Sequence, residues 1–228
     1  MDDLLLSAIS ESYRIYLSHG ARSSAKLAAL HGFFHDTVEQ NVAHKFPGRQ
    51  IRVYSDRNRE LTVDGSLYPK RVDVAVEVDG EVAGAISLKF VVTNYKQNAN
   101  NYFEHLLGET ANIRSAEIAY ASFSVIPLQP EYLSKAAGNA RGEVIRKEKI
   151  TRENLMKYVN LSRITSDPAF RPSLLGLLIV DLDKRGVTQA DLSGLGLSAE
   201  ELRIMRDLAD VGRFFSEFSS NILEVISR

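Results

Sequence analysis

The sequence predicts an α/β (α+β) fold, one central sheet with helices packed around it, in a single domain spanning residues 1–228. Three observations predict it. Two segments with apolar residues at helical spacing open the chain, short alternating β-rich pieces follow from Ile51, and helical and strand-like patterns then alternate towards the C-terminus. With 228 residues, 44% of them hydrophobic and 25% charged, the chain can bury a substantial core.

Residues 1–48 hold the opening helices. "LLLSAISESYRIYL" and "SSAKLAALHGFFHDTVEQNVAHKF" carry the helical period, and Pro47-Gly48 ends the second. Residues 49–128 hold the core sheet and one helix. "IRVYS", "LTVDG", "RVDVAVEV" and "VAGAISLKFVV" read as antiparallel strands, "NANNYFEHLLGETANIRS" returns to helical spacing, and "AEIAYASFSVIPL" is a strand closed by Pro127 and Pro130. In residues 129–228, "KAAGNARGEVIRKEKITRENLMKY" reads as a loop and then a helix, and "SLLGLLIVDLD" as a buried strand. "SAEELRIMRDLADVGRFFSEFSSNILEVIS" reads as one or two helices, with Ser198 as cap and Glu201 three residues on.

The 28 Lys+Arg residues meet 29 Asp+Glu, a net charge of -1, so a polyanion would have to be held by a local basic face. The lack of cysteine excludes disulfides, thiolate zinc sites and cysteine nucleophiles, and fits a reducing cytoplasm. "MDDLLLSAIS" lacks the basic start of a signal peptide, and no apolar run approaches the roughly 20 residues that span a bilayer. The expectation is a cytoplasmic protein with no membrane partner.

Lys89 raises the functional question, because it stands among Ile86, Leu88, Phe90 and Val91. An ammonium there serves a site that needs charge, or costs stability for nothing. In "RVDVAVEV", Val72, Val74, Val76 and Val78 share one face and Arg71, Asp73, Ala75 and Glu77 the other. On the next strand Ile86, Leu88 and Phe90 oppose Ala85, Ser87, Lys89 and Val91. Register then decides the site. A two-residue loop of Asp79 and Gly80 pairs Asp73 with Ile86 and turns it away from Lys89. A three-residue loop, or an equivalent bulge, pairs Asp73 with Ala85 and gathers Asp73, Ser87 and Lys89 on one face; this arrangement is expected. Such a face can bind Mg²⁺, which takes oxygen ligands and keeps several waters, through Asp73, a second carboxylate and a backbone carbonyl, that of Leu88. The lysine would orient or deprotonate a water and stabilise charge developing on a phosphate. Glu104, 15 residues after Lys89 on the next helix, is the expected second carboxylate, and Gly108 one turn later lets that helix approach the sheet.

Asp73, the strand "AISLKF" and the following helix resemble the PD-(D/E)XK nuclease fold, and most of all type II restriction endonucleases. Their motif joins an aspartate on one strand to an acid-x-lysine on the next. Ser87 stands where the acid should be, as in the subset with Ser-x-Lys on the strand and a glutamate moved to the following helix; Glu104 falls at about that spacing. "NANNYFEHLLGETANI" is similar to the asparagine-rich, Glu-x-x-x-Gly helix of several of these enzymes. Pro69 departs from the pattern, standing four residues before Asp73 rather than adjacent. The resemblance covers roughly residues 69–115. It implies a restriction-endonuclease-like central mixed sheet flanked by helices, and Mg²⁺-dependent, site-specific cleavage of double-stranded DNA. Its catalytic residues would be Asp73, Ser87, Lys89 and Glu104, with the metal on Asp73, Glu104 and Leu88. It further implies a homodimer matched to a palindromic target, and a companion DNA methyltransferase encoded nearby. The segments "RFFSEF" and "NILEVI" are expected at the dimer interface. DNA contacts are expected from Asn98 and Asn101 and from Arg141, Arg146, Lys147, Lys149 and Arg152.

Plainer readings stand beside these. Asp73 and Lys89 can form a solvated cross-strand ion pair worth about 0.2–1 kcal/mol. Glu104 can be a surface residue, and the asparagines helix caps. His31, His35 and Asp36 share a helix but no third zinc ligand lies nearby in sequence. Glu39 sits on the helix where related nucleases often carry an extra acid, His105 adjoins Glu104, and "DLDKRG" around Asp181 reads as a turn rather than a calcium loop. At the level of function the alternatives are a structure-selective repair or resolvase nuclease of the same fold, and a non-catalytic DNA-binding protein.

Overall fold

The computed structural model describes residues 1–19, 27–133, 144–183 and 185–228. Helices α1 (Asp2–His19) and α2 (Ala28–Lys45) lead into strands β1 (Ile51–Tyr54), β2 (Thr62–Asp64), β3 (Pro69–Arg71), β4 (Val74–Val78) and β5 (Glu81–Phe90). Helix α3 (Tyr95–Arg114) carries the chain to β6 (Ala119–Pro127), the short pair β7 (Glu131–Leu133) and β8 (Val144–Lys147), and helix α4 (Arg152–Arg163). Strands β9 (Leu174–Asp183) and β10 (Gly186–Gln189) and helices α5 (Ala199–Ala209) and α6 (Val211–Ile226) complete it.

Six strands form one mixed sheet in the order β1-β4-β5-β6-β9-β10. The predicted α/β class therefore holds. β1, β4 and β5 pair antiparallel, β5, β6 and β9 pair parallel, and β10 returns antiparallel on β9. Parallel strands need a long crossover, and α3 supplies the one between β5 and β6. Sequence patterning misses β10 and the β7–β8 pair, because a four-residue strand such as Val144–Lys147, exposed throughout, carries no buried face to read. At the C-terminus two helices form: Ser198 and Glu201 make the expected capping box on α5, and Asp210 caps α6 by accepting the Arg213 N–H at 2.9 Å.

Helices α1, α2 and α6 cover one face of the sheet around Phe34, Phe123, Phe214, Phe215 and Phe218. These rings meet mostly edge-on, as their quadrupoles favour, with centroids 5.1 Å apart between Phe34 and Phe123 and between Phe123 and Phe214. The apolar residues of "RFFSEF" are thus spent inside the fold. Helices α3, α4 and α5 cover the other face. Among the described residues no helix is long and apolar enough to cross a membrane.

The β4–β5 hairpin solves the register problem by a device other than the three-residue loop. Val78 pairs with Glu81, so the loop is two residues, with Asp79 (φ 52°) and Gly80 (φ 93°) both left-handed as a type I′ turn requires. A bulge follows at once: Glu77 pairs with Val82 but Val76 with Gly84, leaving Ala83 as the extra residue. The slip restores the expected parity. The ladder ends with Val74 opposite Ile86, so Asp73 does not pair with the expected Ala85; it lies beyond the ladder and meets β5 through its side chain.

Candidate functional site

Strand β4 begins at Val74, whereas β5 runs on to Phe90, so Leu88 and Lys89 extend past their antiparallel neighbour. Asp73 fills the gap: its Oδ2 accepts the Leu88 N–H at 2.6 Å. The N–H and C=O of a strand residue point to the same side, so the Leu88 carbonyl faces the Asp73 carboxylate as well. On the other side β5 pairs with β6, setting Ser87 against Ser122 and Lys89 against Ser124. Residues of β6 alternate, so Tyr120, Ser122 and Ser124 face α3 and α4 while Ala121, Phe123 and Val125 face the phenylalanine core. Three serines and a lysine therefore floor a pocket of about 240 Å³, roofed by Tyr102, His105 and Glu109 of α3 and Tyr158 of α4.

Glu109 is the acid that α3 brings to this face. Its Oε1 accepts the Tyr120 hydroxyl at 2.8 Å, and its Oε2 lies 3.0 Å from Lys70 Nζ. Burial alone would raise its pKa, but the Lys89 and Lys70 ammoniums and the Tyr120 hydroxyl outweigh that and hold it below the ordinary glutamate value. The Tyr120 phenol is pushed well above its usual pKa by complete burial and by the Glu109 carboxylate, with Ser87 acting against and Asp73 adding to the rise. Asp73, Ser87, Tyr120, Glu109 and Lys89 thus form one electrostatic group. Lys70 reaches it because Asn112, itself buried, clamps the preceding loop: its Oδ1 accepts the Leu67 N–H at 2.9 Å and its Nδ2 donates to the Tyr68 carbonyl at 3.0 Å.

Glu104 does not join this group. It is exposed, and its charge acts on Lys157 of α4, whose ammonium burial depresses. At 3.6 residues per turn, five residues separate Glu104 from Glu109 by about 140° around the helix, so one helix cannot turn both to the sheet. The side that faces the sheet is set by buried Tyr95, Ala99 and Ile113.

The residues expected to touch DNA are largely engaged within the fold. Asn98 donates to the Asn94 carbonyl at 3.0 Å, at the start of α3, and Asn101 is exposed. Arg146 lies over the Tyr132 ring at 4.4 Å and 3.7 Å from Glu148, and Lys147 pairs with Glu131 at 3.0 Å. Arg152 makes a two-armed pair with Glu201 at 2.5 and 3.1 Å, joining α4 to α5. Lys149 is exposed, and Arg141 lies outside the described residues. Of the other marked residues, His31 is buried beside Asp73, His35 meets the Ser55 hydroxyl at 3.0 Å, and Asp36 pairs with Arg57. Glu39 is exposed, and Asp181 pairs with Thr188 in the β9–β10 hairpin.

Glu109, Tyr120, Lys70 and Asn112 are absent from the residues predicted. Two signals point to some of them: Tyr120, Ser122 and Ser124 alternate with apolar residues in the strand "AYASFSV", and Glu109 follows pocket-lining His105 by four residues. Among the described residues no group of three or more acids or histidines is arranged to hold a metal. The donors that face one gap are the Asp73 carboxylate and the Leu88 carbonyl, a set that fits a Mg²⁺ completed by water rather than a protein cage. No family model, curated protein or solved structure matches the chain.

Proposed function

We propose that this protein is a Mg²⁺-dependent nuclease that hydrolyses phosphodiesters of double-stranded DNA at specific sites, in the manner of a type II restriction endonuclease. The observation that carries the reading is the Asp73 carboxylate docked on the Leu88 N–H where β4 stops, next to Ser87 and Lys89, which line the adjoining pocket. Lys89 is exposed within an otherwise largely buried strand, so its ammonium is open to a substrate and its position costs no buried charge. The Asp73 carboxylate and the Leu88 carbonyl are the groups that would hold Mg²⁺, and the bound ion would polarise the phosphate and a water. Lys89 orients the water and stabilises negative charge as the phosphate oxygen leaves. Glu109, fixed by Tyr120 and Lys70, is the acid that α3 sets near Lys89; the metal-holding role expected of Glu104 falls to Asp73, the Leu88 carbonyl and water. Ser87 stands at the edge of the site beside Tyr120. Action as a homodimer on a palindromic target, in the cytoplasm and alongside a DNA methyltransferase, belongs to the same proposal.

Digesting a long unmethylated DNA of known sequence with Mg²⁺ tests it. Discrete bands are the expected result. Cleavage confined to branched or flapped substrates points instead to a repair or resolvase enzyme, and metal-independent binding without cleavage points to a DNA-binding protein.

A further inference from the structure

One polar group lies outside the site just described yet touches it. His31 of α2 is 5% exposed, and neither ring nitrogen makes a hydrogen bond among the described residues. Its Nε2 lies 3.8 Å from Asp73 Oδ1, and its Nδ1 lies 3.3 Å from Asp56 Oδ2. An imidazole buried without partners is costly, and this one is flanked by a carboxylate at each end. Its surroundings are built to keep Asp56 there. Two residues on the same helix grip the loop that carries Asp56: His35 meets the Ser55 hydroxyl at 3.0 Å, and Asp36 pairs with Arg57. A Cβ on Gly32 would come within 2.7 Å of the Arg57 guanidinium, so glycine lets that arginine cross the helix. The Asp73 end has a need for a second contact. An aspartate carboxylate rotates softly about its terminal bond, and the Leu88 N–H fixes Oδ2 alone.

We propose that His31 is a positioning residue: it sets the rotation of the Asp73 carboxylate through Oδ1, while Asp56 steadies the imidazole from its other nitrogen. The proposal rests on the reading of Asp73 as a metal-holding group. Outer partners of this kind alter metal affinity by about 10- to 100-fold when removed.

The test is Mn²⁺ binding, followed by paramagnetic resonance titration, beside thermal melting of the full-length chain. His31→Leu removes two unsatisfied nitrogens and fills the space, so it should melt at or above the wild-type temperature yet bind Mn²⁺ about 10-fold more weakly. His31→Gln, which can still reach Oδ1, should regain most of that loss, and Asp56→Asn should show a smaller one. Asp73→Asn should lose binding altogether. If Asp73→Asn loses Mn²⁺ while His31→Leu binds it as the wild type does, the role of His31 is overturned and the metal assignment survives. If Asp73→Asn binds like the wild type, the assignment falls and takes His31 with it. Should His31→Leu fail to fold, unchanged affinity in both His31→Gln and Asp56→Asn overturns the proposal.

Discussion

Strand β6 has two faces that are equally buried and chemically opposite. All nine of its residues are buried. Ala121, Phe123 and Val125 enter a dry core with the α6 phenylalanines, whereas Tyr120, Ser122 and Ser124 lie under α3 and α4 beside Lys89 and Glu109. Burial alone therefore does not mark the core of this protein. What separates the faces is whether the covering helices fill the space: α6 packs rings against rings, while α3 and α4 leave a pocket over the serine hydroxyls.

This contrast can be broken by substitution. Phe123→Ala or Phe214→Ala, on the filled face, should cost about 3–5 kcal/mol in denaturant unfolding. A loss under 1 kcal/mol would mean the aromatic cluster is loosely packed. Gly176→Val comes next at about 1–3 kcal/mol, because even a Cβ there would stand 2.2 Å from Phe123 Cδ2.

On the polar face, Glu109→Gln should remove on the order of 1 kcal/mol near neutral pH. Here the sign of the pH dependence is fixed. The folded carboxyl titrates below the ordinary value of 4.5, so its contribution is present above that pH and is lost as pH falls through the depressed value. The gap between wild type and variant should therefore close in acid. A gap that widens in acid would contradict the Lys89 and Lys70 environment. Smallest of all, Ser122→Ala and Ser124→Ala should change stability by about 0.5 kcal/mol or less, since their hydroxyls face the pocket.

Most of the architecture is legible in the sequence because the helices carry apolar residues at helical spacing and the long central strands are apolar runs bounded by turn residues. The parity of the hairpin is legible, since period-2 alternation pairs Val74 with Ile86 by way of a bulge, but Asp73 lies just outside the ladder, and its side-chain contact with the Leu88 N–H is not encoded by alternation. The second acid is legible only as far as the helix it rides. Distance from Lys89 selects Glu104; rotation selects Glu109, and rotation is decided by Tyr95, Ala99 and Ile113 burying one side of α3. In sequence His31 groups with His35 and Asp36 because they share a helix. Their partners come from the loop at Ser55, Asp56 and Arg57, a contact across some twenty residues that no local period encodes.

The most direct test of the central claim is single-turnover cleavage of a DNA duplex with Mg²⁺ by wild type, Asp73→Asn, Lys89→Ala, Glu109→Gln and Glu104→Gln. The polar face of β5 and β6 as a hydrolytic site predicts losses of about 10²-fold or more for Asp73→Asn and Lys89→Ala. It also predicts a clear loss for Glu109→Gln and wild-type cleavage by Glu104→Gln. A Glu104→Gln variant that is inactive beside an active Glu109→Gln, or a folded wild type that cleaves no DNA, would contradict it.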